Sequence, residues 1–215
     1  MTAREDILGR VRAALGRRSI DPGTVQNAAA ALLADLPSTR PDALGGSLVE
    51  AFIARVTSPK VAATAVRIPS AAALPDAVAM YLQERGLQKI VALQPHALLR
   101  SLDWTAYEVH GSVASDEAVA VGMARWGIAE TGSLVFHSGA DSPVLANFLS
   151  LHHIVAVRAA DIVPYLEDYA MAAAGLPMPR NVNLITGASG TTDIEGSLVL
   201  GAHGPRYMHV VVVDG

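Results

Sequence analysis

Two stretches of this chain hold the residue types and spacings that suit chemistry. The first is Glu130-Thr131-Gly132-Ser133, which follows apolar Ile128-Ala129 and opens onto the run Leu134-Val135-Phe136. An acid at the entrance of a buried strand is seldom kept unless it is paired or functional. Burial raises a carboxyl pKa and suits the group to general-base work, and a positioned carboxylate can also act as a nucleophile. The plainer alternative is that Glu130 bonds the backbone N–H groups of its own turn.

The second stretch runs from Asn181 to Gly215. An apolar run (Val182, Leu184, Ile185) stops at Gly187, six small or polar residues follow, and the chain closes on Gly201-Ala202-His203-Gly204-Pro205 and the valines Val210 to Val213. Short β-branched runs bounded by Gly and Pro predict strands buried on both faces. The segment between them is then a loop at a strand end, where open α/β sheets hold ligands. Ser189, Thr191 and Thr192 are candidate donors to a carboxylate or phosphate, and Gly187 and Gly190 let the backbone approach closely. Asp193 and Glu195 stand two apart, which on a strand sends both to one face. With His203 they offer two oxygens and an imidazole, a set without the rigid spacing of a metal site, so no metal is assigned. Asp193 more simply bonds loop N–H groups. Arg206, just past Gly204-Pro205, can supply a cation to a small acid. In the pair His152-His153 the side chains alternate across a strand, so at most one faces a pocket, and a core histidine satisfied by a carbonyl is the simpler reading. The loop is neither a Walker loop nor a dinucleotide fingerprint.

Composition narrows the classes. The chain has 215 residues, enough for one large domain, with 51% hydrophobic and 17% charged residues and a net charge of −4. No basic stripe appears beyond the arginines near the N-terminus, which argues against nucleic acid as a partner. No apolar run approaches the roughly 20 residues of a membrane span, and no signal-peptide core is visible, so a cytoplasmic location is expected. The chain has no cysteine, which excludes disulfides, a cysteine nucleophile and a cysteine-ligated iron–sulfur cluster in this polypeptide. The cofactor stays open.

The elements that must position these residues alternate. Thr2 to Leu15 reads as an amphipathic helix with Thr2 and Glu5 as a capping-box pair, Ile7, Leu8, Val11 and Leu15 on one face and arginines on the other. A linker with one short helix, 25–36, leads to a helix at 47–55 and a strand at 61–68. Leu74, Val78, Tyr81 and Leu82 predict a helix over 70–85 ended by Gly86. Strands are predicted at 89–93 and 107–110, with a helical turn at 96–102 between them. Ser115-Asp116-Glu117 is read as the cap of a helix broken at Gly122 that delivers the chain to Glu130. A strand at 133–137, a helix at 142–149, a core strand at 153–157 and a helix at 161–174 complete the reading. Such alternation predicts an α/β fold with a mostly parallel central sheet flanked by helices. The expected division is 1–45, an N-terminal helix and linker, and 46–215, an α/β domain.

The motifs TGASGTTDIEGSLVLGAHGP and IAETGSLVF (Ile128 to Phe136), with the opening REDILGRVRAALG, resemble the LUD domain family, typified by lactate utilization proteins. The resemblance covers nearly the whole chain. Two positions depart from it: Ser189-Gly190-Thr191 replaces the usual Ser-Arg-Thr, and Leu149-Ser150 replaces the usual Leu-Pro before His153-Ile154. The resemblance favours His153 over its neighbour as a site residue and gives His137 no special standing. It implies a NagB/RpiA/CoA-transferase-like fold and a component of a lactate-utilization system. Such a component acts with separate iron–sulfur subunits in oxidation of L-lactate to pyruvate, contributing a small-acid or partner-binding pocket. An alternative follows from a likeness of Glu130-Thr131-Gly132 to the nucleophile turn of coenzyme A transferases: a free-standing acyl transferase using Glu130. A third is a non-catalytic scaffold. The candidate ligand-binding set is thus Thr131, Gly132, His153, Gly187, Ser189, Thr191, Asp193, Glu195, His203 and Arg206, with Glu130 as the candidate catalytic group.

Overall fold

A computed structural model describes residues 2–16, 21–35, 38, 40–41, 45–192 and 198–215. The chain divides into two compact units, Met1–Ala43 and Leu44–Gly215. The first holds helices α1 (Ala3–Ala14) and α2 (Pro22–Ala34). Thr2 and Glu5 close a reciprocal capping box on α1, and Asp21 caps α2 by accepting the Thr24 N–H at 2.9 Å. Neither helix has a buried residue, so the apolar face of Ile7, Leu8, Val11 and Leu15 lies exposed.

The second unit begins with α3 (Leu48–Val56), capped by Ser47 and Glu50, and continues through β1 (Thr64–Ile68), α4 (Leu74–Glu84), β2 (Ile90–Leu93), the short α5 (Ala97–Arg100) and β3 (Glu108–His110). Then come β4 (Val119–Met123), β5 (Trp126–Ile128), β6 (Ser133–His137), β7 (His152–Arg158), β8 (Ile162–Val163) and α6 (Leu166–Ala173). The chain ends with β9 (Val182–Ile185), β10 (Gly190–Thr192), β11 (Leu198–Leu200) and β12 (Tyr207–Val213).

Six strands form the central sheet in the order β1-β12-β7-β4-β2-β3, and every neighbouring pair is parallel. The fold is therefore α/β, with a mostly parallel central sheet flanked by helices. The period-two alternation of its inner strands divides the core between two faces. Ile154, Ala156, Val211 and Val213 pack with Leu74, Val78, Tyr81 and Leu82 of α4. Val155, Val157, Val210 and Val212 pack with Phe52 and Val56 of α3 and with Leu134 and Phe136. These last two belong to a second sheet, ordered β8-β5-β6-β9, in which β6 runs antiparallel to both neighbours. β10 and β11 make a separate antiparallel pair. Among the described residues no helix is long and apolar enough to cross a membrane.

Several expectations need correcting. The helix predicted from Ser115 through Gly122 is two strands, β4 and β5. All five residues of β4 are buried, and a strand covered on both faces shows no alternation to betray it. The helix predicted over 142–149 is a single 3-10 turn, Val144–Asn147, and the one predicted over 161–174 starts only at Leu166, after the strand β8. β9 is not buried on both faces: it is the edge of the second sheet and leaves Val182 and Leu184 exposed. Its side chains have a neighbouring sheet on one face only.

Candidate functional site

Because the six central strands point one way, their carboxyl ends meet at one edge, where open α/β sheets leave a crevice. Here that edge carries a cavity of about 390 Å³. Its floor is laid by residues that end or follow buried strands: Gln94 after β2, Met123 and Ala124 at the end of β4, and Arg158 at the end of β7. Phe136 and His137, closing β6, form one wall, and Asp141 and Ser142 lie on the loop that follows.

Gln94 ties these pieces together. Its Oε1 accepts the Met123 backbone N–H at 2.7 Å, and its Nε2 donates to the Asp141 carbonyl at 3.0 Å. Gly122 is what lets the glutamine in, since a Cβ there would stand 2.8 Å from Oε1 and 3.2 Å from Nε2 of His153. The Asp141 loop is pinned further by a mutual pair of backbone bonds between Gly139 and Ser142, each 3.2 Å.

Two arginines bring charge to the cavity. Arg158 donates from Nε to Asp161 at 2.6 Å, so much of its charge is already answered. Arg125 is exposed, lies 4.9 Å from the Trp126 ring, and forms no ion pair among the described residues. His137 sits between Trp126, at 5.1 Å between ring centroids, and Tyr169, whose hydroxyl is 2.8 Å from Nε2. Burial first, and the Arg125 guanidinium second, hold the His137 imidazole below its usual pKa. Burial raises the pKa of Tyr169, which therefore keeps its proton. Leu98, Met123, Ala124 and Phe136 supply apolar wall. One uncommitted cation, a neutral imidazole and an apolar wall are the features of a pocket for a small anion with a hydrocarbon part.

The LUD domain family model matches residues 59–213, which includes all the strands that frame this cavity. The chain belongs to the LUD domain family. Lactate utilization protein C of Anoxybacillus flavithermus is 30% identical over 115 residues, 52% of each chain. The protein of the same name from Bacillus subtilis is 30% identical over 120 residues, 52% of this chain and 50% of that one. YkgG of Escherichia coli, an uncharacterized protein, is 28% identical over 141 residues, 62% and 59% of the two chains. The chain thus matches about half of the length of the two lactate utilization proteins and 59% of YkgG. In fold, the chain is similar to a DUF162 family protein from Deinococcus radiodurans, with a TM-score of 0.53 and 23% identity over 77% of this chain and 96% of that one.

In this LUD domain the residues singled out from sequence fall in two places. Glu130, Thr131 and Gly132 form the turn between β5 and β6, and Glu130 is half-buried, with its N–H donating to the Pro164 carbonyl at 2.9 Å. Thr131 Oγ1 lies 2.6 Å from Ser133 Oγ, which lies 2.6 Å from Thr186 Oγ1, so the two distant stretches do meet through three hydroxyls. Gly187 takes φ +78°, and any side chain there would also run into the Val61 carbonyl, so both the backbone and the space require glycine. Ser189 is fixed by backbone bonds, donating to the Pro205 carbonyl and accepting from Gly201 N–H, both at 2.8 Å. Thr191 pairs with Val199 in the β10–β11 ribbon, and His203 and Arg206 are exposed. Asp193 and Glu195 lie outside the described residues.

Val61 and Ala63 precede β1 and Pro205 precedes β12, so this group follows the amino-terminal edge of the parallel sheet. The cavity lies at the other edge, a strand length of about 20 Å away for the seven residues of β7. The loop was expected where α/β sheets hold ligands and is found at the opposite end. Only His153 bridges the two descriptions. It is 1% exposed, its ring stacks on Phe136 of the cavity wall with centroids 6.0 Å apart, and burial pulls its pKa down to about 4. Its Nδ1 is buried without a hydrogen-bond partner among the described residues.

Gln94, Arg125 and Arg158 were not singled out from the sequence, and His137 was named there without special standing. A signal was present: each ends or closely follows a buried β-run, IVAL, VAVGM, SLVFH and HHIVAVR. For Gln94, Arg125 and Arg158, a polar side chain in that position lies at the carboxyl edge as soon as the strand is known to be parallel. His137 instead ends β6, which is antiparallel to both its neighbours in the second sheet.

Proposed function

We propose that this LUD domain serves a lactate-utilization system by binding a small carboxylate in the carboxyl-edge cavity, in company with separate iron–sulfur subunits. The observation that carries the pocket reading is Arg125, a cation without an ion pair among the described residues, at the mouth of a cavity with an apolar wall. A carboxylate on a guanidinium is a charge-assisted contact worth about 1.5–3 kcal/mol, enough to select an acid over a neutral analogue. The system is suggested by relatives named lactate utilization protein C. If that system runs through an iron–sulfur cluster, separate subunits must carry it, because this chain has no cysteine to ligate one. Glu130 does not line the cavity, so a ligand bound there is out of its reach as a nucleophile.

Three measurements test this. Deleting the gene should abolish growth on L-lactate while sparing growth on glucose, and the tagged protein should co-purify with cysteine-rich polypeptides. In vitro, ligand-observed NMR should detect pyruvate or L-lactate on the wild-type protein, with affinity lower by at least about tenfold in Arg125→Ala. Normal growth on lactate without a co-purifying partner refutes the system, and unchanged affinity in Arg125→Ala refutes the pocket.

A further inference from the structure

The cavity holds one more polar group whose direction can be worked out, and it narrows the ligand. The hydroxyl of Tyr169 has a single hydrogen-bond partner among the described residues, Nε2 of His137 at 2.8 Å, and Tyr169 is buried. Were Nε2 to carry the proton, the phenol hydrogen would have no protein acceptor among the described residues. Buried donors are rarely left so, and a phenol donates more readily than it accepts. The Tyr169 O–H therefore donates to Nε2, and the neutral imidazole carries its one hydrogen on Nδ1. That nitrogen has no hydrogen-bond partner among the described residues and is not fully buried, and His137 is one of the residues that line the cavity.

Arg125 lies next to it. The Arg125 backbone N–H donates to the Val135 carbonyl at 2.9 Å, two residues from His137 across the β5–β6 pair, and its guanidinium is close enough to act on the imidazole. A ligand therefore meets a cationic fork and, beside it, a single fixed N–H donor, backed by Met123 and Phe136.

We infer that the cavity selects a small 2-oxo acid, with the carboxylate on Arg125, the 2-oxo oxygen accepting from His137 Nδ1–H, and the alkyl group against Met123 and Phe136. The inference rests on the small-carboxylate reading of the same cavity and adds the acceptor at carbon 2. His137 is here a specificity residue and Tyr169 the residue that sets its tautomer. A keto oxygen only accepts, so it satisfies this donor and leaves no hydrogen of its own to place. A 2-hydroxy acid brings an extra proton that must find an acceptor such as the Asp141 carboxylate, and an unsubstituted acid leaves Nδ1–H bare.

Calorimetric titration of the full chain with pyruvate, L-lactate and propionate tests this, beside His137→Phe and Tyr169→Phe. Pyruvate should bind about five- to tenfold more tightly than propionate to the wild type, the worth of one hydrogen bond. In His137→Phe the gap should close while propionate still binds, which also reports that the cavity is intact. In Tyr169→Phe the imidazole is free to shift its hydrogen to Nε2, and the preference for pyruvate over L-lactate should shrink. Equal binding of pyruvate and propionate to the wild type, or tighter binding of L-lactate than pyruvate, overturns the assignment of Nδ1–H and leaves the small-carboxylate reading standing. No binding of any of the three acids removes both.

Discussion

At the scale of single residues, the buried imidazoles give the fold a marked dependence on acid. His153 and His209 are 1% and 8% exposed. Burial takes His153 down to about 4, and burial with the nearby Arg85 guanidinium does the same to His209. In the unfolded chain both titrate near the ordinary value of about 6.5. Between those values the unfolded chain takes up protons that the folded one refuses, so stability is full above about pH 6.5 and is lost as pH falls towards 4. By pH 5 each group removes on the order of 2 kcal/mol. The urea midpoint should drop accordingly between pH 7.5 and 5, and His153→Leu should lose part of that slope. A midpoint flat across this range would mean that neither ring is held neutral by its surroundings. His153 was singled out from sequence as a site residue and lies instead behind the cavity wall. What sequence could not reveal was which way its ring points from β7.

At the scale of elements, Gln94 is the joint on which the cavity depends. It holds the last amide of β4 and the carbonyl of Asp141 with one side chain. Gln94→Leu keeps the volume but strands a buried N–H, which should cost about 1–3 kcal/mol in chemical denaturation. In the wild type, exchange of the Met123 amide with deuterium should slow when ligand is bound, and Gln94→Leu should abolish that protection. The amphipathic elements were legible because their signals are local: Thr2 with Glu5 for α1, and Leu74, Val78, Tyr81 and Leu82 for α4, all four of them buried. The segment Ser115 to Ile128 was misread because an acidic opening and an alanine-rich body imitate a helix. Only its place at the middle of the sheet makes Val119 to Met123 a strand. That error hid the site as well, since a helix at 115–128 has no strand end at which to put Arg125.

At the scale of the whole molecule, the chain divides into two compact units, Met1–Ala43 and Leu44–Gly215. The N-terminal helices bury none of their own side chains, so the α/β unit should not need them for its core. A chain starting at Leu44 should unfold cooperatively, with a melting temperature within about 3 °C of the full chain and unchanged pyruvate affinity. A molten or insoluble product would show that the first 43 residues complete the fold. The parallel sheet carries one last consequence. Strands that all run one way give the protein two dissimilar rims, one bearing Arg125 and His137, the other bearing the joined hydroxyls of Thr131, Ser133 and Thr186. If a small acid sits at the first, as proposed, the second is left free, and a partner docked there would not compete with the acid for the same surface.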